Sequence, residues 1–172
     1  MQLLAHPDTG GGPVSNLVAY VTRVPNGLRI LFEATGEIGS IVIPTEFGPT
    51  RTGELWRHTC FEGFVRSHGD AYAEYNFAPS GAWAAYGFDA RRDGMRDLAV
   101  AAPAISVERD QDRLALKATI GLPRWLRGSA LDCNLTAVIE ATGGTRHYWA
   151  LAHPDGPPDF HNPSCFLACL PE

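Results

Sequence analysis

The chain has 172 residues, 45% of them hydrophobic, and a formal net charge of −5. That length and apolar content suit one domain, residues 1–172, with its own core and no need of disulfide staples, and they exclude a disordered chain. The 14 basic residues are scattered, which excludes the clustered Lys and Arg footprint of a nucleic-acid binder.

No stretch approaches the roughly 18 apolar residues of a membrane span, so no membrane partner is expected. The opening MQLLAHPDTGGG lacks the basic region and long apolar run of a signal peptide, and a cytoplasmic location is the expectation. The 18 glycines and 13 prolines point to many turns.

Turn residues punctuate the chain at the spacing of a sandwich or barrel. Leu3 to His6 reads as a short strand, and Pro7 to Pro13 as a loop. Leu17 to Val24 and Leu28 to Ala34 read as a hairpin around Pro25-Asn26-Gly27, with its Asn-Gly turn signal. Ile38 to Ile43 follows as a strand, then a Pro44–Gly53 loop.

Leu55 to Val65 is the next expected strand. After His68-Gly69-Asp70, Ala71 to Phe77 alternates, with Tyr72, Glu74 and Asn76 on one side and Ala73, Tyr75 and Phe77 on the other. Pro79-Ser80-Gly81 turns the chain into Ala82–Phe88. The charged stretch Asp89–Asp97 reads as a loop. Ala104–Glu108 and Leu114–Ile120 form a second hairpin, the latter strand with one buried and one wet face. Pro123 opens one short helical turn over Gly121–Leu126. Leu135–Glu140, Arg146–Leu151 and Cys165–Leu170 complete about eleven short strands. Two packed antiparallel sheets, an all-β sandwich with one helical turn, are the expected architecture.

The four cysteines make no C-x-x-C pair. On a strand, Cys165 and Cys169 would share a face roughly 13 Å apart, too far for a disulfide, so reduced, buried thiols are expected.

The strand LWRHTCFEGFV carries the oddest pattern. Alternation places Trp56, His58, Cys60, Glu62 and Phe64 on one face, with Leu55, Arg57, Thr59, Phe61 and Val65 on the other. Neither face is cleanly apolar. Burying Glu62 alone would cost several kcal/mol or raise its pKa. Two readings stay open: Glu62 pairs with an arginine of a neighbouring strand or loop, or it lines a cavity beside Trp56.

A second cluster, HYWALAHPDGPPDFHNPSCF, holds His147, Tyr148, Trp149, His153, Asp155, Asp159 and His161, much of it in an irregular loop of the kind that carries function. A metal would need His58, Glu62, His153 and His161 to converge, and their spacing matches no zinc motif. For catalysis, Cys60 and His58 are an i, i+2 pair on one strand face, and Glu62 with Glu74 would form a carboxylate pair on neighbouring strands. No phosphate loop, nucleophile elbow or H-E-x-x-H motif is present.

Leu55-Trp56-(x5)-Glu62-x-Phe64, then Tyr72-x-Glu74-Tyr75-Asn76-Phe77-x-Pro79-x-Gly81-x-Trp83, resembles the core of the DOMON-like and family 9 carbohydrate-binding-module-like sandwiches. The closing Asp159-Phe160-His161-x-Pro163 is similar to bacterial members of that group. The resemblance spans residues 54–88 and, more loosely, 146–170. It implies a jelly-roll-like sandwich that binds a sugar or a haem. In sugar-binding members a strand Trp stacks on the ring and a Glu six residues later takes hydroxyls, which map onto Trp56 and Glu62. A second stacking aromatic would come from Trp149 or Phe160. A haem would need Met and His ligands, and the one internal methionine, Met95, lies in the charged loop.

The sequence-based expectation is a non-catalytic domain for a small molecule, a sugar or related polar compound, without cofactor. Trp56, Glu62, Arg57, His58, Trp149, His153 and His161 are the candidate ligand-binding residues. A metal-dependent enzyme built on His58, His153, His161 and Glu62, and a protein-interaction domain, are the alternatives.

Overall fold

The computed structural model describes residues 1–44 and 48–172. Among them are twelve strands: β1 (Leu4–Ala5), β2 (Val14–Val24), β3 (Gly27–Gly36), β4 (Cys60–Arg66), β5 (Tyr72–Phe77), β6 (Trp83–Phe88), β7 (Arg96–Asp97), β8 (Ala104–Arg109), β9 (Arg113–Gly121), β10 (Leu131–Glu140), β11 (Arg146–Ala150) and β12 (Ala168–Leu170). All strand pairs are antiparallel. The larger sheet runs β1-β11-β10-β4-β5-β6-β7, with β12 extending the β11 edge along the start of β10. The smaller runs β2-β3-β9-β8. The two-sheet, all-β sandwich expected from the turn spacing is present.

Alternation explains the packing between the sheets. Leu28, Ile30, Phe32 and Ala34 of β3 point inward with Leu114, Leu116, Ala118 and Ile120 of β9. They meet Phe61 and Val65 of β4, Tyr75 and Phe77 of β5, and Leu135, Ala137 and Ile139 of β10. The Phe32 and Phe61 rings lie 5.1 Å apart. Each such side chain stabilises the fold by about 1.5–3 kcal/mol through burial.

The larger sheet is buried on its other face as well. Every residue of β5 and β6 is buried, and so is β4 up to Val65. A second apolar cluster (Leu55, Cys60, Phe64, Tyr72, Tyr86, Phe88, Phe160, Phe166) forms there, between the sheet and segments laid over it. Strands covered on two sides need not show one polar and one apolar face. The mixed pattern of the LWRHTCFEGFV stretch follows from this.

Several expected elements differ. Leu55–Val65 is not one strand: Leu55–Arg57 is a 3₁₀ turn, and β4 begins at Cys60. The turn enters through Glu54 in the left-handed region at φ 59°. Ile38–Ile43 is a 3₁₀ turn, Ile38–Ser40, followed by a single bridge from Ile41 to Ala141. Cys165–Leu170 divides into a 3₁₀ turn, Pro163–Cys165, and β12. The Asp89–Asp97 loop ends in β7. Of the Pro44–Gly53 loop, Thr45, Glu46 and Phe47 lie outside the described residues. The expected helical turn is the 3₁₀ segment Arg124–Leu126.

The β2–β3 turn is built by Pro25 and Asn26, with Asn26 at φ 58°. Gly27 already belongs to β3, where a Cβ would fall 2.0 Å from the Ile120 carbonyl oxygen. Close approach to β9, rather than turn conformation, therefore requires that glycine. Cys60, Cys133 and Cys165 are buried free thiols, whereas Cys169 is exposed, its thiol 3.3 Å from Asp132 Oδ1.

Candidate functional site

The outer face of the larger sheet carries its polar residues at its centre. Register sets Thr136 of β10 opposite Glu62 of β4, and Glu62 opposite Asn76 of β5. Two residues along, Phe64 faces Glu74. Glu62 and Glu74 are thus diagonal neighbours on one face of adjacent strands. Both are nearly sealed from solvent, at 2% and 4% exposure.

Their partners are specific. Thr136 Oγ1 donates to Glu62 Oε2 at 2.9 Å. Asn76 Nδ2 donates to Glu74 Oε1 at 2.8 Å. Among the described residues no arginine forms an ion pair with either carboxylate. Of the two readings open for Glu62, the structure therefore has the cavity-lining one.

Burial raises Glu62 from its ordinary 4.5 to about 8, helped by the charge of Glu74, while Thr136 and Arg92 pull the other way. Burial raises Glu74 to about 7, against the lowering effect of Asn76 and Arg92. Near neutral pH Glu62 is therefore mostly protonated and Glu74 partly so.

Two segments roof this floor. The Leu55–Arg57 turn brings Trp56 over the sheet, its indole edge-on to Tyr86 at 5.8 Å. The loop after β11 returns across β10, pinned where Asn134 Nδ2 donates to the Phe160 carbonyl at 2.9 Å. Phe160 then packs against Tyr148, with ring centroids 6.0 Å apart. Asp159 pairs with Arg91 and, at 3.0 Å, with Arg92, tying the terminal loop to the β6–β7 loop. Arg92 holds φ 56°, an uncommon conformation for a side chain with a Cβ. Its N–H donates to Tyr72 Oη at 3.2 Å.

Tyr72 Oη in turn lies 2.7 Å from His161 Nδ1. Burial, and then the charge of Arg92, lower His161 to about 4, so the ring is neutral. The tyrosine accepts from Arg92 and donates to Nδ1, which assigns the remaining ring proton to Nε2. That nitrogen faces Glu74 Oε2 at 3.9 Å.

Between floor and roof lies an open cavity of about 360 Å³. Its walls are Trp56, Phe64, Tyr148 and Phe160; its floor holds Glu62 and Glu74; Arg92, Arg146 and His161 stand around it. The volume is near the lower end of the roughly 300–1,000 Å³ of small-molecule sites, and aromatic walls with a few converging polar groups are their usual lining.

Of the sequence-predicted residues, Trp56, Glu62 and His161 meet at this cavity. Arg57 and His58 line a different cavity of about 480 Å³. There Arg57 pairs with Glu54 at 2.8 Å, and His58 with Glu140 at 2.7 Å. Trp149 belongs to β11 but points to the core between the sheets. His153 Nε2 donates to the Leu4 carbonyl, 2.8 Å away, and the ring stands edge-on to His6. His58, His153, His161 and Glu62 therefore do not converge, and the described residues contain no group of three metal-ligating side chains. The Cys60–His58 pair is also undone, because His58 ends the 3₁₀ turn while Cys60 is buried in β4 with its thiol pushed up by burial.

Tyr148, Arg92 and Arg146 were missed. Tyr148 shares the Glu62 face because β10 and β11 pair Val138 with Tyr148, a register that sequence alternation alone does not supply. Arg92 looked like one charge among many in a loop.

No family model matches the chain, and no curated protein matches it. Solved structures do. A proposed carbohydrate-binding protein from Bacteroides uniformis superposes with a TM-score of 0.71 at 16% identity, over 96% of this chain and 83% of that one. A family 9 carbohydrate-binding module from Caldicellulosiruptor kristjanssonii, in complex with glucose, gives 0.56 at 13% identity, over 85% of this chain and 72% of that one. Its complex with cellotriose gives 0.55 at 13% identity, over 82% and 67%. The chain has the carbohydrate-binding-module type of β-sandwich. At these identities the likeness is one of fold.

Proposed function

We propose that the protein is a non-catalytic, DOMON-like carbohydrate-binding domain whose ligand occupies the cavity under Trp56. The observation that carries this is the cavity itself: aromatic walls at Trp56, Tyr148 and Phe160 over a floor of carboxyl groups. Aromatic faces suit the C–H surfaces of a pyranose, and carboxyl groups orient its hydroxyls. The fold shared with sugar-binding modules supports the same reading.

Titration with a panel of mono- and disaccharides, followed by tryptophan fluorescence, tests the proposal. Saturable binding by the wild type, weakened at least tenfold by Trp56→Ala, is expected. A Trp56→Ala protein that binds as well as the wild type would refute it.

A further inference from the structure

The carboxylate pair has more acceptors than donors. Asn76 is completely buried, its amide is committed to Glu74, and its Oδ1 has no partner. Glu62 uses Oε2 on Thr136, and its other oxygen makes no hydrogen bond among the described residues. Glu74 Oε2 has the His161 ring at 3.9 Å, beyond hydrogen-bond distance. Asn76 sits directly across from Glu62 and bonds Glu74, but it is not among the residues that line the cavity. Glu62 Oε1 and Glu74 Oε2 are thus the two open acceptor positions on the cavity floor.

The groups around the pair do not supply the missing donors. On the sheet these are Cys60 of β4, Tyr72 of β5, Tyr86 of β6, Glu140 of β10, and Arg146 and Tyr148 of β11. Glu140 is engaged by His58, and Arg146 reaches the Arg57 carbonyl at 3.4 Å. From the roofing loops come Arg92, Asp159 and His161. Arg92 is held by Asp159, and the His161 Nε2–H stops 3.9 Å short of Glu74 Oε2.

A sugar hydroxyl brings one donor and no charge. An ammonium brings three donors and a positive charge, and a carboxylate pair is its natural complement. The faces of Trp56, Phe64 and Tyr148 beside the pair add cation–π attraction. We infer that the cavity selects a carbohydrate bearing a protonated amine, an amino sugar, whose ammonium docks between Glu62 and Glu74 on the cavity floor. This rests on the carbohydrate reading and names the class of sugar.

Isothermal titration at pH 7 with glucosamine, glucose, N-acetylglucosamine and cyclohexylamine separates the two claims. Glucosamine is expected to bind at least tenfold more tightly than glucose or N-acetylglucosamine. Its heat should vary with buffer ionisation enthalpy as a proton is released. Below pH 7, where both carboxyls take up protons, its affinity should fall at least tenfold per pH unit. Glu74→Gln keeps an oxygen for Asn76, and Glu62→Gln keeps one for Thr136; each should lower the affinity for glucosamine at least tenfold more than that for glucose, erasing the amine preference. Glucose binding as tightly as glucosamine overturns the inference and leaves the carbohydrate reading standing. Cyclohexylamine binding where no sugar does overturns both the amino-sugar inference and the carbohydrate reading, and marks the cavity as a site for a simple ammonium. Binding of none of the four overturns both.

Discussion

Glu62 stores a pH-dependent destabilisation that can be measured in the folding equilibrium. Its carboxyl titrates at about 8 in the folded protein against 4.5 ordinarily. Between those values the native state holds a proton that the unfolded chain has given up, so stability falls as pH rises. Since pH 7 lies about 2.5 units above the ordinary value and still below the folded one, about 3 kcal/mol is lost by pH 7 at 1.36 kcal/mol per unit. Glu62→Gln is neutral at every pH and retains an acceptor for Thr136. The variant should match the wild type near pH 4.5 and exceed it by about 3 kcal/mol at pH 7. Urea unfolding of both proteins at pH 4.5, 6, 7 and 8, followed by tryptophan fluorescence, measures this directly. A difference that is flat with pH, or a wild type that gains on the variant as pH rises, would refute the buried, charge-averse placement of Glu62.

Thr136→Val removes the donor to Glu62, costing about 1 kcal/mol at pH 5 and about 2–3 kcal/mol at pH 9, where the group is ionised; the same urea series reads it. Trp149→Ala opens a hole in the core between the sheets and should cost about 3–5 kcal/mol by urea unfolding. His58→Ala breaks an ion pair in which the histidine is mostly exposed, so it should cost under about 1 kcal/mol and leave sugar titrations unchanged.

Much of the fold is written in local signals. The β2–β3 and β8–β9 hairpins follow from period-two alternation bracketing short turns, and both lie where that pattern puts them. The Leu55–Val65 stretch misleads because its alternating side chains fit a strand, while Glu54 turns the backbone left-handed and starts a 3₁₀ turn instead. Trp56 still reaches the cavity with Glu62, by leaning over the sheet as roof rather than by sharing a strand face. Trp149 and Phe160 show the limit most clearly. Either was a candidate second aromatic, and only the register of β11 against β10 and the Asn134 anchor send Trp149 to the core and Phe160 to the cavity. Those are long-range contacts, invisible to local periodicity.

The chain has four tryptophans, and their indole N–H signals report on three places: Trp56 at the cavity, Trp83 and Trp149 against the core between the sheets, and Trp125 at the surface. Proton–nitrogen correlation spectra recorded while a binding sugar is added therefore locate the ligand. The account predicts that the Trp56 signal moves saturably while those of Trp149 and Trp125 stay in place. A stationary Trp56 signal, or movement confined to Trp125, would contradict it.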